Sequence, residues 1–474
     1  MLAGYTGLMV YHALAGKRQT KGVTDYYVGG RSMGGIALGI SFFATYSSTN
    51  SFVGFSGQAY TYGAPWLLLT VTAVTFSFIA WKWITPRLRD ATELLNSVTI
   101  PDFIGFRFGS NAARVGAAII VVFASFLYMT AVFKGIGNLL EAFLDVPHEV
   151  AIIIVFVIVM IYTAVGGFIS VVKTDVVQGI VMMIAAVLLF TGTVHAASGL
   201  GSLAALKQSP ETAKLFSWDA AMPFPVLFGV MVAGTMKFIV EPRQLARFYA
   251  LRDRKAIRSG IWVSTLAFLG VYALLMPIGL YAHNILPPGT VSDTDLIIPT
   301  MLSGGEVFGP GVAAFFLVAM VAAAMSSLDS VLLVTGSTCA RDIVGSVRPA
   351  ESEAALMRLT RWLVALLALI TALIALRPPG SIVTLTVFSG SLYAACFFPV
   401  IVLGLFWRPG NGTSAIASFV VGVVTLLGWK YLPFGANIHQ VFPAILFSTV
   451  VYVVTARLGT AHQAAELDSL FASN

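Results

Sequence analysis

Charge is what this sequence has least of. Aspartate, glutamate, lysine and arginine make up 10% of its 474 residues, against 58% hydrophobic ones, and the mean hydropathy is +0.88. Soluble globular domains carry roughly a quarter charged residues. A soluble fold is therefore excluded, and an all-α polytopic membrane protein is indicated. Cysteine is nearly absent: Cys339 and Cys396 sit inside apolar runs, which suits small packing residues and gives no disulfide framework. Low-complexity tracts, nucleotide-binding glycine loops and zinc-ligand spacings are missing, and no feature calls for a nucleic-acid partner. The paired glycines Gly34-Gly35, Gly166-Gly167 and Gly304-Gly305 fall at the ends of apolar runs, where helix termination accounts for them. His12, His148, His195, His283, His439 and His462 are scattered, none beside an acid and a nucleophile in an embedded cluster, which argues against an enzyme. The first apolar run, Met1 to Gly16, has no basic region before it, so a cleavable signal is not expected. It is also short of the ~20 residues a span needs, which leaves room for a native start upstream.

What the chain has in quantity is long apolar runs. They lie at 2–16, 33–61, 64–85, 113–142, 148–168, 174–197, 222–241, 257–285, 307–338, 357–376, 381–406, 412–432 and 440–457, thirteen expected spans. With the N-terminus outside, twenty-two lysines and arginines, Arg243 and Arg247 among them, fall in inner loops. Only Lys207, Lys214, Arg377 and Lys430 fall in outer ones. Basic residues in short loops set orientation, so the expectation is an N-out, C-in protein of the plasma (inner) membrane, with the bilayer as its partner. Lys134 and Lys237 are the two bases left inside apolar runs. A cation at mid-span costs about 2.5 to 3.5 kcal/mol on insertion scales, so each is expected to face a cavity or a partner. The segment 90–111 reads as an interfacial helix around Ile100–Ile104. The acidic Asp293, Asp295 and Glu306 of an outer loop read as a solvated face.

Three stretches carry chemistry. From Thr45 to Ser51 the second span places seven hydroxyl or amide side chains in a row. Water is absent at that depth, so broken helices persist only where they line a cavity, and a half-unwound helix facing a solute or ion is expected. In the ninth span Ala323, Ser326 and Ser327 share one helical face and can offer a carbonyl and two hydroxyls to a hard cation. The alternative is that these serines bond back to their own helix or glue helices together. Asp329 and Ser330 follow directly, and a carboxylate there needs a cation, a proton or water. In the third stretch, Tyr162 to Gln178, Asp175 reads either as the N-cap of the sixth span, with Gln178 in capping-box position, or as part of an ion relay.

Taken together these motifs, with Tyr26 to Gly35, Gly166-Gly167, Thr174-Asp175, Glu241-Pro242 through Arg247-Phe248 and Met325-Ser326-Ser327, resemble the sodium/solute symporter family. Proline, pantothenate, monocarboxylate and sialic acid carriers belong to it. The first core helix is most similar to the pantothenate branch, in its Arg-Ser-Met-Gly-Gly lead-in and Ala-Thr-Tyr break. The resemblance implies one transmembrane domain with a LeuT-type core of two five-helix inverted repeats, 33–197 and 222–406. An extra helix and loop over 1–32 would precede it, and two helices with a short tail over 407–474 would follow. It implies sodium as the coupling ion, with no other cofactor, held by Ala44, Ser47, Ala323, Ser326 and Ser327. A second cation site is implied at Asp175, Asp329 and Ser330, where Asp329 replaces a common hydroxyl and either tightens that site or binds a proton. The solute is expected against Thr49, Asn50, Ser51, Thr70, Lys134, Lys237, Glu241, Ser389 and Tyr393. Lys134 and Lys237 depart from the pantothenate-like pattern and favour a small carboxylate, unless Lys237 and Glu241 form a helical ion pair. The leading expectation is sodium-coupled symport of a small, carboxylate-bearing organic solute such as a monocarboxylate. Proline or pantothenate as the solute, and a transporter-like sensor acting with a partner chain, stand as alternatives. The pattern leaves the oligomeric state open.

Overall fold

The computed structural model describes residues 2–286, 291, 293–303, 305, 307–433, 435–463 and 465–472. Gly304 and Glu306, read above as a helix end and a solvated acid, lie outside the described residues. The described chain is helical, and a single bridge between Met33 and Leu251 is its only β-type pairing.

Helix α1 (Leu2–Gln19) leads into an interrupted pair, α2 (Gly35–Tyr46) and α3 (Asn50–Phe55 continuing as Ser56–Tyr62). There follow α4 (Ala64–Leu94), the short α5 (Ile100–Phe108), α6 (Asn111–Leu144), α7 (His148–Met160) and α8 (Gly166–Ala196). The second half holds α9 (Phe224–Tyr249), α10 (Arg254–Ala282), α11 (Pro310–Val347), α12 (Glu353–Ala375), α13 (Ile382–Phe406), α14 (Gly412–Tyr431) and α15 (Val441–Leu458). Ten of these are long and apolar enough to cross a membrane. The expected total of thirteen further requires α1, the α2–α3 pair and α7 to cross as well.

The helix ends obey local chemistry. Thr99 accepts the Asp102 amide at 3.0 Å ahead of Pro101, and Gly109 closes α5 in the left-handed region. Ser110, Asp253, Ser352 and Ser381 cap α6, α10, α12 and α13 in the same way, and Asn411 forms a capping box with Ser414 on α14. Asp175 does not cap anything. The break between α7 and α8 falls at Gly167 (φ 65°, ψ −174°), a conformation open only to glycine, and the helix then runs unbroken through Asp175. Asp175 is thus a fully buried mid-helix carboxylate.

Two further sequence expectations are corrected. Arg243 and Arg247 are not loop cations; they lie inside α9, essentially without solvent exposure. Asp295 is not on a solvated face; it is fully buried and paired with Lys134. A cluster of Phe42, Tyr46, Phe238, Phe268 and Tyr272 locks α2, α9 and α10 together through tilted and edge-to-face contacts, and this fixes where the α2 break points.

Candidate functional site

Helix α2 unwinds at Ser47 (φ −76°, ψ 81°). The Ser48 amide turns to the Tyr46 carbonyl, so the Ala44 carbonyl loses its helical donor. Two hydroxyls of α11 come to these freed carbonyls. Ser326 Oγ donates to Ala44 O at 3.0 Å and Ser327 Oγ donates to Thr45 O at 2.8 Å. Ser326 also bonds back to Ala323 O at 3.0 Å. Ala44, Ser47, Ala323, Ser326 and Ser327 are all fully buried. The result is a buried junction of two helices lined by carbonyl and hydroxyl oxygens, the donor set that a hard monovalent cation takes, with Arg243 Nη1 also donating to Thr45 O at 3.0 Å. The same hydroxyls that bridge the helices have lone pairs to turn toward an ion.

Next to this junction lies a group that the sequence alone did not assign to the site. Arg247 Nη2 contacts Asp175 Oδ2 at 2.8 Å, Ser330 Oγ at 2.6 Å and Thr45 Oγ1 at 2.6 Å, and its Nε donates to Ser41 Oγ at 3.2 Å. Asp329 accepts Ser330 Oγ at 3.3 Å, while its Oδ2 is buried without a partner among the described residues. The signal was present in the sequence, because Arg243 and Arg247 stand one helical turn apart next to Glu241-Pro242, a break inside an apolar run.

The residues expected to meet the solute sort into groups. Lys237 is 2% exposed; its Nζ lies 4.7 Å from the centre of the Tyr128 ring and meets no acceptor among the described residues. Its expected partner has gone elsewhere. The short helix Lys237–Val240 ends before Glu241, which is extended (φ −80°, ψ 123°), and Glu241 pairs instead with Arg243 at 2.6 Å. The alternative of a helical Lys237–Glu241 pair is therefore corrected. Thr49 Oγ1 and Asn50 Oδ1 are buried at the break, without a hydrogen-bond partner among the described residues. Ser51 shares a 2.7 Å hydrogen bond with Tyr272, and Thr70 is buried in α4. Ser389 and Tyr393 place their hydroxyls on α6, donating to Ala124 O at 2.8 Å and Val121 O at 3.2 Å, and so brace α13 against α6. Lys134 is held at 2.9 Å by Asp295.

The chain has known relatives. The Sodium:solute symporter family model matches residues 26–422. The Sodium/pantothenate symporter of Escherichia coli (strain K12) is 31% identical over 469 residues, covering 96% of this chain and 94% of its own. The High-affinity proline transporter PutP of Bacillus subtilis (strain 168) is 28% identical, covering 91% and 92%. Among solved structures, a Na+-coupled sialic acid symporter in a substrate-bound outward-open state superimposes with a TM-score of 0.82 at 20% identity over 98% of both chains. With a family model matched over most of its length and full-length relatives of the same kind, the chain belongs to the sodium:solute symporter family.

Proposed function

We propose that the chain imports a small, carboxylate-bearing organic solute, a monocarboxylate in the simplest case, by coupling it to sodium moving down its gradient. The observation that carries this reading is Lys237: an ammonium buried over the Tyr128 ring, one residue before the Phe238 that packs on Tyr46 at the α2 break, with no hydrogen-bond acceptor among the described residues. A buried, unpaired cation is costly, and a solute carboxylate relieves that cost more than any neutral group does. Pantothenate and proline, which the relatives' names give as their solutes, both carry a carboxylate.

Sodium is placed at Ala44, Ser47, Ala323, Ser326 and Ser327, and the solute at Lys237 with Thr49 and Asn50. Because both ligands use the 44–51 stretch, ion binding orders the backbone that the solute meets, which couples their affinities. The repeats 33–197 and 222–406 would rock against each other around this point, each beginning with an interrupted helix, α2–α3 and α9. The N-out, C-in orientation, multi-pass insertion in the inner membrane and absence of enzymatic chemistry complete the proposal.

The test is uptake into liposomes carrying the purified protein under an imposed sodium gradient, with proline, pantothenate, acetate, pyruvate and lactate offered in turn. One or more should accumulate only with sodium outside. Lys237→Met should abolish uptake of the carboxylate while sodium still binds. Equal uptake by wild type and Lys237→Met would overturn the carboxylate assignment.

A further inference from the structure

The resemblance to the sodium/solute symporter family implies a second cation at Asp175, Asp329 and Ser330. In the folded chain most of that cradle is already filled, by the protein itself. Arg247 Nη2 sits within 2.6 to 2.8 Å of Asp175 Oδ2, Ser330 Oγ and Thr45 Oγ1. These are the oxygens a cation at this place would need. Arg247 is held there from behind as well: Nη1 donates to Arg243 O at 2.8 Å and the guanidinium lies 5.3 Å from the centre of the Phe168 ring. Every one of these side chains is buried.

The cluster holds two carboxylates, Asp175 and Asp329, and one guanidinium. Asp175 is neutralised by Arg247. The remaining carboxylate, Asp329, lies on α11 one turn beyond Ser326, and its Oδ2 has no partner among the described residues. The junction of Ala44, Ala323, Ser326 and Ser327 offers carbonyl and hydroxyl oxygens in a buried region beside that carboxyl, and Arg243 Nη1 already donates to the adjacent Thr45 O at 3.0 Å.

We infer that Arg247 is a built-in cation in place of a second sodium, so that this transporter binds and moves a single sodium per cycle. This rests on the sodium site proposed above. With a monoanionic solute it makes each cycle electrically neutral: one sodium and one carboxylate cross together.

The experiment is equilibrium binding of 22Na+ to the purified full-length chain, without solute, counted per protein molecule. Wild type and Arg247→Lys, which keeps a fixed cation, should each bind one sodium. Arg247→Ala, shown to be monodisperse by gel filtration, should bind two, because removing the guanidinium exposes Asp175 Oδ2 and Ser330 Oγ. Two sodiums on wild type, or one on Arg247→Ala, would overturn the inference and leave the first sodium site standing. No bound sodium on wild type would overturn that site and this inference with it. Should the alanine variant fail to fold, wild-type stoichiometry alone still decides, since a count of two contradicts a resident cation.

Discussion

Lys134 was expected to meet the solute, and the structure gives it another partner whose removal has a calculable consequence. Its Nζ lies 2.9 Å from Asp295 Oδ2, and the same oxygen accepts the Ile382 amide at the first turn of α13 at 3.1 Å. The neighbouring Thr294 Oγ1 accepts from Gln58 Nε2 of α3 at 2.8 Å. A single loop segment between α10 and α11 thus ties together α3, α6 and α13, the helices around the solute candidates Thr49 and Asn50. Next to Lys134, Gly135 admits Thr49: a methyl group there would sit 2.7 Å from the Thr49 hydroxyl. The Lys134–Asp295 pair thus clamps α6 to this loop beside Thr49.

Substituting Lys134→Met leaves Asp295 buried and charged with one amide donor. Breaking a buried pair costs about 3–5 kcal/mol, and with Lys134 partly exposed and the Ile382 amide retained, about 2 kcal/mol is the fitting figure here. The loop escapes that cost by lifting Asp295 into water, so the loss falls on the closed state and the open fraction rises about 30-fold. The assay is labelling of Thr49→Cys by a membrane-impermeant maleimide from outside, in a Cys339→Ser, Cys396→Ser background. Lys134→Met and Asp295→Asn should each speed labelling by at least about tenfold, and the exchanged pair Lys134→Asp, Asp295→Lys should restore the slow rate. Labelling at the wild-type rate in both single variants would refute the reasoning.

Three other outcomes are expected. Ser327→Ala removes a hydroxyl that meets Thr45 O at 2.8 Å and should raise the sodium concentration for half-maximal uptake by about ten- to a hundredfold, about 1.5–3 kcal/mol, with unchanged melting temperature; unchanged sodium activation would count against the site. Gly167→Ala forces a side chain into φ 65°, ψ −174° and against the Tyr26 ring, so it should destabilise the protein by about 1–3 kcal/mol in thermal unfolding. Finally, burial lowers His439 from 6.5 to about 4, and its Nδ1 accepts the Val441 amide at the start of α15, which requires the neutral ring. The unfolded chain takes up this proton near 6.5 and the folded chain only near 4, so stability should fall as pH drops through that window, and His439→Asn should flatten the melting-temperature profile there. A profile identical to wild type would remove His439 from the account.

Much of the architecture was legible because the membrane imposes it. Long apolar runs must become helices when no water is present to satisfy the backbone, and Thr45 to Ser51 and Ser326-Ser327 stood out against that background. What the sequence hid was pairing across the fold. Arg243 and Arg247 read as loop cations because their partners, Glu241 and Asp175, meet them only after α9 breaks and packs on α8. Asp295 read as solvated because loop acids usually are, and its partner lies far back in the chain at Lys134. Asp175 followed a capping-box spacing that the helix ignores, since glycine at 167 supplies an earlier and more permissive place to break.

The most direct test of the account reverses the usual direction of measurement. Vesicles containing the protein, with equal sodium on both sides and no voltage, are given an inward gradient of a transported carboxylate, and 22Na+ entry is followed. The account predicts sodium uptake against its own balance, driven by the solute, and its loss in Ser326→Ala, Ser327→Ala. Solute entering without net sodium movement would contradict the claim that the α2 break and α11 hold an ion that travels with the cargo.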